Sequence, residues 1–375
     1  MSARDRLNWG HIFGLVAAVV FCGALNSPVL AASAASTAAQ PSTPLHPVAI
    51  TVPSQKHWHW VGFANAFCGD GSTTGIGVNF NNQSSRVLIF LEPGGACWSE
   101  SMCYVEQTAA NFTTGYHSGN FLVDSGKSGF LSQAGGFFDR SDASNPFKDD
   151  NYIFVPYCTG DLHAGDNIYE YGTHKAHHVG HANMAAYLQR IVATFPAARR
   201  VTLAGSSAGG YGALVNLDQT QQAFGTTEVD LLDDSGTPMP PDLYPPTGAL
   251  FKASFTAWNL GATLPAGCTA CASTGLTALY AYYAATYPGD KAAFLTYEND
   301  WVLPWFFDIT ATQWLHALAE DFAKVDSHPA QHYFEAPGYG HILFFSPSLT
   351  ARTTSVQTWL TQFTTDDPAW GDVTP

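Results

Sequence analysis

The sequence predicts an α/β fold in which helices cover both faces of a mostly parallel β-sheet. Short apolar stretches with β-type residues alternate with stretches that can form helices, the order typical of such folds. Residues 86–91 are almost entirely apolar and bounded by turn residues, as in a strand buried on both faces. At residues 201–215 an apolar run meets a Gly-rich turn and a second run that can be helical.

Each element follows from its local pattern. Residues 58–63 and 76–80, separated by Asp70-Gly71, are predicted to open the sheet as an antiparallel pair. The later strands are predicted at residues 86–91, 151–156, 201–204, 228–232, 292–297 and 331–334. Besides the run that follows residue 207, helices are predicted at residues 182–195, 274–287, 305–325 and 350–363. The Gly-, Ser- and Asn-rich stretch 104–150 is expected to be a long insertion near the functional site.

The first 31 residues have the pattern of a secretory signal peptide. Arg4 and Arg6 precede the apolar run 12–21, and Val29-Leu30-Ala31 is a suitable cleavage site. The apolar run is short for a membrane span. We therefore expect residues 1–31 to be removed and the protein to be secreted or periplasmic, without membrane association. An uncleaved anchor is the alternative.

The remainder of the chain is predicted to be a leader and one catalytic domain. Residues 32–47 are rich in Ala, Ser, Thr and Pro and have nothing to bury, which predicts a flexible leader. Residues 48–375 are then long enough for one large α/β domain with insertions. We expect this domain to act as a monomer.

The charge balance excludes some partners. The formal net charge is −15, and cleavage after residue 31 would remove Arg4, Arg6 and Asp5, a net +1, and leave −16. Such a chain has no electrostatic reason to bind nucleic acid or anionic lipid.

Cysteine usage agrees with export. Of the seven cysteines only Cys22 falls in the predicted signal peptide. The other six are Cys68, Cys97, Cys103, Cys158, Cys268 and Cys271. An even number in an exported chain predicts three disulfides, although the sequence alone leaves their pairing open. Proximity favours Cys97–Cys103 and Cys268–Cys271, which leaves Cys68–Cys158.

The turn at residues 205–209, Gly-Ser-Ser-Ala-Gly, matches the Gly-x-Ser-x-Gly pattern of a nucleophile elbow. The spacing selects Ser207 as the nucleophile rather than Ser206, because glycine is required two residues before and after it. The fold prediction thereby narrows to an α/β-hydrolase-like sheet. Ala208 opens the following helix, so its N–H and the positive helix end can face an oxyanion.

A serine nucleophile needs a base and a carboxylate that orients the base. His341 follows the last predicted strand, whereas His332 falls inside that strand. Asp300 follows the strand before it, and Asp233 and Asp234 follow the strand before that. A carboxylate at the end of either strand can reach the histidine. Asp300 is favoured, because the stretch after Asp234 is typical of a tight turn.

Five motifs together resemble the pectin acetylesterase/Notum family of serine carboxylesterases. They are residues 90–98, residues 155–161, residues 205–210, residues 233–236 and Gly340-His341. The resemblance implies Ser207 as nucleophile, His341 as base and Asp300 as orienting acid. It also implies an oxyanion hole formed by the N–H groups of three residues. These are Gly95, Ala96 and Ala208. Pro93 replaces a glycine usual in the family and has no N–H to donate.

Two further clusters invite a functional interpretation. His174, His177, His178 and His181 have the spacing that would align imidazoles for a metal on a helix. Gly172, Gly180 and the lack of nearby carboxylates argue against it, so we expect no metal. Four residues are predicted to border the substrate pocket. They are Trp98, Asp161, His163 and Trp301.

The sequence therefore predicts a secreted carboxylesterase that needs no cofactor and hydrolyses acyl esters, acetyl esters above all. The resemblance makes plant cell-wall polysaccharides a candidate substrate. A lipase or another triad hydrolase acting on longer acyl chains is one alternative, since a triad does not determine its leaving group. The other is an exported His-rich protein that binds metal or glycan without catalysis, in which Ser207 would be dispensable.

Overall fold

An eight-stranded β-sheet runs through the described part of the chain, residues 48–133, 135–240 and 249–375 of a computed structural model. Its strands are β1 (His59–Phe67), β2 (Thr73–Asn79), β3 (Arg86–Leu91), β4 (Asn151–Val155), β7 (Arg200–Ser206), β8 (Glu228–Asp234), β9 (Ala292–Asp300) and β10 (Gln331–Gly340). They lie in the order β1-β2-β4-β3-β7-β8-β9-β10. The predicted signal peptide, residues 1–31, and the predicted leader, residues 32–47, lie outside the described residues.

Most neighbouring strands are parallel. β3 pairs in parallel with β4 and β7, and the parallel pairing continues through β8 and β9 to β10. Only β2 is antiparallel to both of its neighbours. Every residue of β3 except Arg86 is buried, as its apolar sequence predicts for an inner strand. The mostly parallel sheet is confirmed.

Helices pack on both faces of this sheet. The longer ones are α1 (Ser118–Asp124), α2 (Gly180–Thr194), α3 (Ala208–Phe224), α4 (Ala249–Trp258), α7 (Ala278–Thr286), α9 (Ala311–Val325) and α10 (Val356–Thr364). The short ones are α5 (Leu260–Thr263), α6 (Cys271–Thr274) and α8 (Leu303–Phe307). Ile89 of β3 belongs to one hydrophobic core with Ile191 and Leu214, while its neighbour Phe90 belongs to a second core with Trp359. Successive strand residues thus face opposite helical layers.

Two small hairpins lie outside the main sheet. One pairs β5 (Asn167–Tyr171) with β6 (His174–His178), and the other pairs β11 (Thr350–Ala351) with β12 (Thr354–Ser355). The predicted closing helix therefore begins only at Val356, because residues 350–355 form a hairpin first.

The insertion 104–150 packs against the loop that follows β10. Phe137 lies 4.7 Å from Phe344 between ring centroids, and Phe90 stacks on the same ring at 4.8 Å. Phe344 is three residues beyond His341, so this aromatic cluster fixes the position of the loop that carries the histidine.

Three disulfides are present, the two that proximity favours and the pair that remains. They are Cys68–Cys158, Cys97–Cys103 and Cys268–Cys271. Among the helices that the structure describes, none has both the length and the apolar character that crossing a bilayer requires.

Candidate active site

Ser207 occupies a strained turn between β7 and α3. Its backbone has φ 53° and ψ −118°, a conformation that residues other than glycine rarely adopt. A Cβ added at Gly205 would lie 2.0 Å from the Gly209 carbonyl oxygen, and one at Gly209 would lie 2.0 Å from the Leu91 carbonyl oxygen. The two glycines allow the close backbone contacts that hold the serine in this position. The Ser207 N–H donates to the Asp234 carbonyl at 2.7 Å and anchors the turn to β8.

A continuous hydrogen-bonded chain joins Ser207, His341 and Asp300. The Ser207 Oγ lies 2.7 Å from Nε2 of His341, and the Nδ1 of that ring lies 2.7 Å from Oδ2 of Asp300. The other carboxylate oxygen, Oδ1, accepts hydrogen bonds from the N–H groups of Val302 at 2.8 Å and Leu303 at 3.0 Å. Because a carboxylate only accepts, Nδ1 carries the proton and Nε2 is free to accept the serine proton.

Asp234 does not contact the imidazole. Its two carboxylate oxygens accept from the backbone N–H groups of Leu343 and Phe344, each at 2.9 Å. The Ser206 hydroxyl also donates to it, at 2.7 Å. Burial raises the pKa of Asp234 above its ordinary value. This aspartate therefore supports the loop after His341, while Asp300 alone of the candidate acids touches the histidine ring.

The neighbouring residues of Asp234 complete this support. The Ser235 hydroxyl donates to the His341 carbonyl, and Asp233 Oδ1 accepts from the Gly236 N–H at 2.8 Å. The sequence indicates a tight turn here but not its connection to the histidine. That connection depends on the register of β8 beside β7, which a single sequence does not specify.

The predicted oxyanion residues lie at the same end of the sheet as Ser207. Gly95 and Ala96 follow β3, and Ala208 is the first residue of α3. The close contact of Gly209 with Leu91 holds the N-terminus of α3 against the end of β3. Gly95 has φ 74°, and an added Cβ would lie 2.2 Å from the Thr108 carbonyl oxygen, so no larger residue fits there. Their role as donors stays a prediction.

Two side chains support the loop that carries Gly95: Glu92, which is partly buried, and His163, which is buried. The Glu92 carboxylate accepts from the Tyr157 N–H at 2.8 Å, and burial raises its pKa well above the usual range. His163 donates from Nε2 to the Glu92 carbonyl at 2.9 Å. Burial lowers the pKa of His163 to about 4, so the ring is neutral at physiological pH.

The prediction that Asp161 and His163 border a substrate pocket is wrong. Asp161 is 0% exposed and His163 is 2% exposed. Asp161 accepts from the Thr159 hydroxyl at 2.5 Å and from the Gly180 N–H at 2.8 Å, where α2 begins. The loop after β4 folds inward, so its polar side chains satisfy backbone groups instead of facing a cleft.

Aromatic side chains surround the Gly95 loop. Trp98 is partly buried, and its ring lies 6.1 Å from Trp258 and 6.4 Å from Phe306 between centroids. The Phe306 ring would be 3.3 Å from a Cβ placed on Gly95. Trp301, beside Asp300, is 45% exposed. Trp98 and Trp301 remain predicted pocket residues. Phe306 joins them, although its place in an aromatic run indicates only helical packing in the sequence.

The four histidines do not lie on one helix. His174, His177 and His178 lie on β6, whereas His181 lies in α2. His174 stacks on Tyr104, and His181 pairs with Gln219 at 3.0 Å.

Among the described residues, His178 forms a group with two cysteine sulfurs, but this group is not available to bind a metal. It is buried, its Nδ1 donates to the Thr159 carbonyl at 2.8 Å, and burial lowers its pKa to about 4. The sulfurs beside it belong to the Cys97–Cys103 disulfide and cannot act as thiolates.

A strained serine followed in the chain by a carboxylate and a histidine, at the ends of parallel strands, defines an α/β-hydrolase-like site. The family pattern for pectinacetylesterase matches residues 55–288, more than half of the chain. The chain therefore belongs to the pectinacetylesterase family, which supports a carboxylic ester hydrolase. The match includes Ser207 and ends before Asp300 and His341.

Two curated relatives are Notum proteins from Xenopus laevis. Palmitoleoyl-protein carboxylesterase notum2 is 32% identical over 158 residues, and notum1 is 30% identical over 178 residues. These alignments cover 40% and 46% of this chain but only 29% and 32% of the relatives. The chain thus matches about a third of the length of each relative.

A solved structure shares the fold. The Wnt deacylase Notum from Drosophila superposes with a TM-score of 0.60 over 84% of this chain and 97% of that chain. The identity is 18%, so this likeness confirms the α/β-hydrolase-like fold alone.

Proposed function

We propose that the protein is an exported serine carboxylesterase with Ser207 as nucleophile, His341 as general base and Asp300 as orienting acid. The observation that carries the proposal is the chain of two 2.7 Å contacts from Ser207 Oγ through His341 to Asp300. Such a chain activates a hydroxyl that is a weak nucleophile by itself. The family assignment supports the same chemistry independently of these distances.

The reaction follows from this geometry. Ser207 Oγ attacks the ester carbonyl carbon while His341 Nε2 accepts the hydroxyl proton. Asp300 stabilises the imidazolium that forms. The backbone N–H groups of Gly95, Ala96 and Ala208 are proposed to bind the oxyanion. The imidazolium then protonates the departing alcohol, which leaves an acyl-serine, and water activated by the neutral imidazole releases the carboxylic acid.

We propose acetyl esters as the preferred substrates, including acetylated polysaccharides of the plant cell wall. The family description supports this assignment. Hydrolysis of longer acyl chains is the second candidate, because both Xenopus relatives are named palmitoleoyl-protein carboxylesterases. Export to an oxidising compartment is supported by the three disulfides.

The test is hydrolysis of p-nitrophenyl esters from acetate to palmitate by the wild type, Ser207→Ala and His341→Ala. Each substitution is expected to lower kcat by roughly 10³-fold or more, and the double variant should lose little further activity, because the residues act as a unit. Preference for acetate would favour the first substrate class, and preference for palmitate the second.

Ser206→Ala is the matched control. Ser206 is adjacent and buried, but its hydroxyl donates to Asp234 rather than to His341. The control is expected to lose stability and keep most of its turnover. A Ser207→Ala variant with more than about a tenth of the wild-type kcat would contradict the proposal.

A further inference from the structure

A small cavity between β8, α7, β9 and α9 contains two buried carboxylates. Asp233 ends in this cavity from β8 and Asp321 from α9, and they are 2% and 1% exposed. Oδ2 of Asp233 and both carboxylate oxygens of Asp321 have no hydrogen-bond partner among the described residues. Buried polar atoms are normally paired, so three orphaned oxygens at one cavity need an explanation.

Positively charged side chains do not explain these unpaired carboxylate oxygens. The ammonium group nearest to Asp321 is that of Lys324, whose Nζ lies 3.7 Å from Oδ1, beyond hydrogen-bond distance. The Lys324 side chain is 40% exposed, so water weakens its charge. One lysine at this distance leaves two buried carboxylates under-compensated, and isolated buried charges are strongly unfavourable.

The cavity has the size and the lining of a site for a single ion. The space open to the centre of a water-sized sphere is about 10 Å³, enough for one such sphere. Besides the two carboxylates, the lining includes three hydroxyl-bearing residues. They are Thr237, Tyr280 and Thr296. These five side chains offer oxygen atoms, which hard cations prefer, and the rest of the lining is apolar: Phe294, Leu295, Phe322 and Val325.

We propose that this cavity is a Ca²⁺ site formed by the carboxylates of Asp233 and Asp321. A divalent ion balances the two negative charges and gives the orphaned oxygens a partner. Ca²⁺ accepts irregular oxygen geometry, whereas Mg²⁺ retains several water molecules for which a cavity of this size has no space.

The position of the site indicates what the ion would do. Asp233 Oδ1 accepts from Gly236 N–H, and a Cβ added at Gly210 in the first turn of α3 would lie 2.3 Å from the same oxygen. An ion shared with Asp321 would therefore link α9 to the strand and turn that support the nucleophile. Its effect is on stability, since neither aspartate touches Ser207 or His341 in the described contacts.

The direct test is the metal content and thermal stability of the whole protein. Wild-type protein is treated with a chelator, dialysed, and titrated with CaCl₂, MgCl₂ or NaCl at constant ionic strength. Saturating Ca²⁺, at about a hundredfold excess over its Kd, is expected to raise Tm by about 5 °C and Mg²⁺ by much less. Elemental analysis after Ca²⁺ loading and gel filtration should find one calcium per chain.

Single substitutions test whether the Ca²⁺-dependent rise in Tm comes from this cavity. Asp321→Asn and Asp233→Asn should each abolish the Ca²⁺-dependent rise in Tm. Glu320→Gln is the matched control, because it removes the same charge one residue away on the same helix at a side chain that is 36% exposed. It should retain the full response.

No calcium in the loaded wild type, or no saturable rise in its Tm, would overturn the proposal even if both aspartate variants failed to fold. An equal response to Mg²⁺, or an unchanged response in Asp321→Asn, would also overturn it by showing a general salt effect. These readouts do not use esterase activity, so the proposal stands or falls separately from the proposed function.

Discussion

Asp300 and Asp234 end neighbouring strands, β9 and β8, yet they contact different parts of the loop that carries His341. Asp300 binds the imidazole Nδ1, whereas Asp234 binds the backbone N–H groups of Leu343 and Phe344. Chain order and strand position alone allow either residue to be the acid. The difference arises from strand register. Asp234 lies beside Leu295, whereas Asp300 lies further along β9 beside Gly340, and neither spacing nor composition determines this register.

Asp300→Asn is expected to lower kcat by roughly 10³- to 10⁴-fold with a small change in Tm. An amide in place of the carboxylate favours the wrong imidazole tautomer and no longer stabilises the imidazolium. Asp234→Asn is expected to act on stability instead. Both of its oxygens accept from N–H groups, so the amide NH₂ must face a donor, at a cost of about 1–3 kcal/mol.

Steady-state kinetics with p-nitrophenyl acetate and thermal melts on the same preparations separate the two effects. If Asp234→Asn lost turnover while melting normally, and Asp300→Asn did the reverse, the orienting acid would be Asp234.

At the scale of secondary structure, elements with strong local signals were the predictable ones. β3 and β7 are apolar runs in the middle of a parallel sheet, and the elbow has its glycines at fixed positions. β6 was not predictable, because His174, His177 and His178 match a helical spacing by coincidence. They form a strand because they pair with β5 and because α2 starts only at Gly180.

Local sequence patterns also could not predict which polar side chains are buried. Asp161 and His163 have the composition of a cleft loop, but in the fold they satisfy Gly180 and Glu92. The pairing that buries them joins segments far apart in the chain. The contact of the Phe306 ring with the Gly95 loop is of the same kind, since Phe306 lies in α8 and Gly95 in the loop after β3.

The disulfides offer a prediction about loop connections. Cys68–Cys158 joins the segment after β1 to the segment after β4 across 90 residues, whereas Cys268–Cys271 spans 3. In the chain-entropy account the long loop contributes about 4–5 kcal/mol and the short one about 1.5 kcal/mol. Replacing both Cys68 and Cys158 with alanine should therefore lower Tm more than replacing both Cys268 and Cys271.

The double replacement of Cys268 and Cys271 is the matched control, because it removes the same number of sulfur atoms from a buried position. Thermal melts of both variants under non-reducing conditions give the comparison. Equal losses of Tm would rule out the entropic explanation.

At the scale of the whole molecule, charge bears on the substrate. The part of the chain from residue 32 onward has thirteen Lys and Arg residues and a formal charge of −16. Several of these cations are already paired. Arg86 binds Asp150, and Arg200 and Lys291 share Asp366. Ion pairing within the fold leaves fewer cations for an anionic polymer than composition alone indicates.

Neutral acetyl esters are therefore expected to be hydrolysed at least as well as acetylated pectin. Polygalacturonate carries about one negative charge per sugar, and an acidic protein repels it at long range. At physiological salt the Debye length is about 8 Å, so repulsion slows encounter without preventing binding. The measurement is kcat/KM on acetylated xylan and acetylated pectin at low and high salt. The ratio of kcat/KM on acetylated pectin to kcat/KM on acetylated xylan should rise with salt, because salt screens the repulsion. A pectin preference that is largest at low salt and declines as salt is added would instead reveal an attractive basic groove and refute the charge argument.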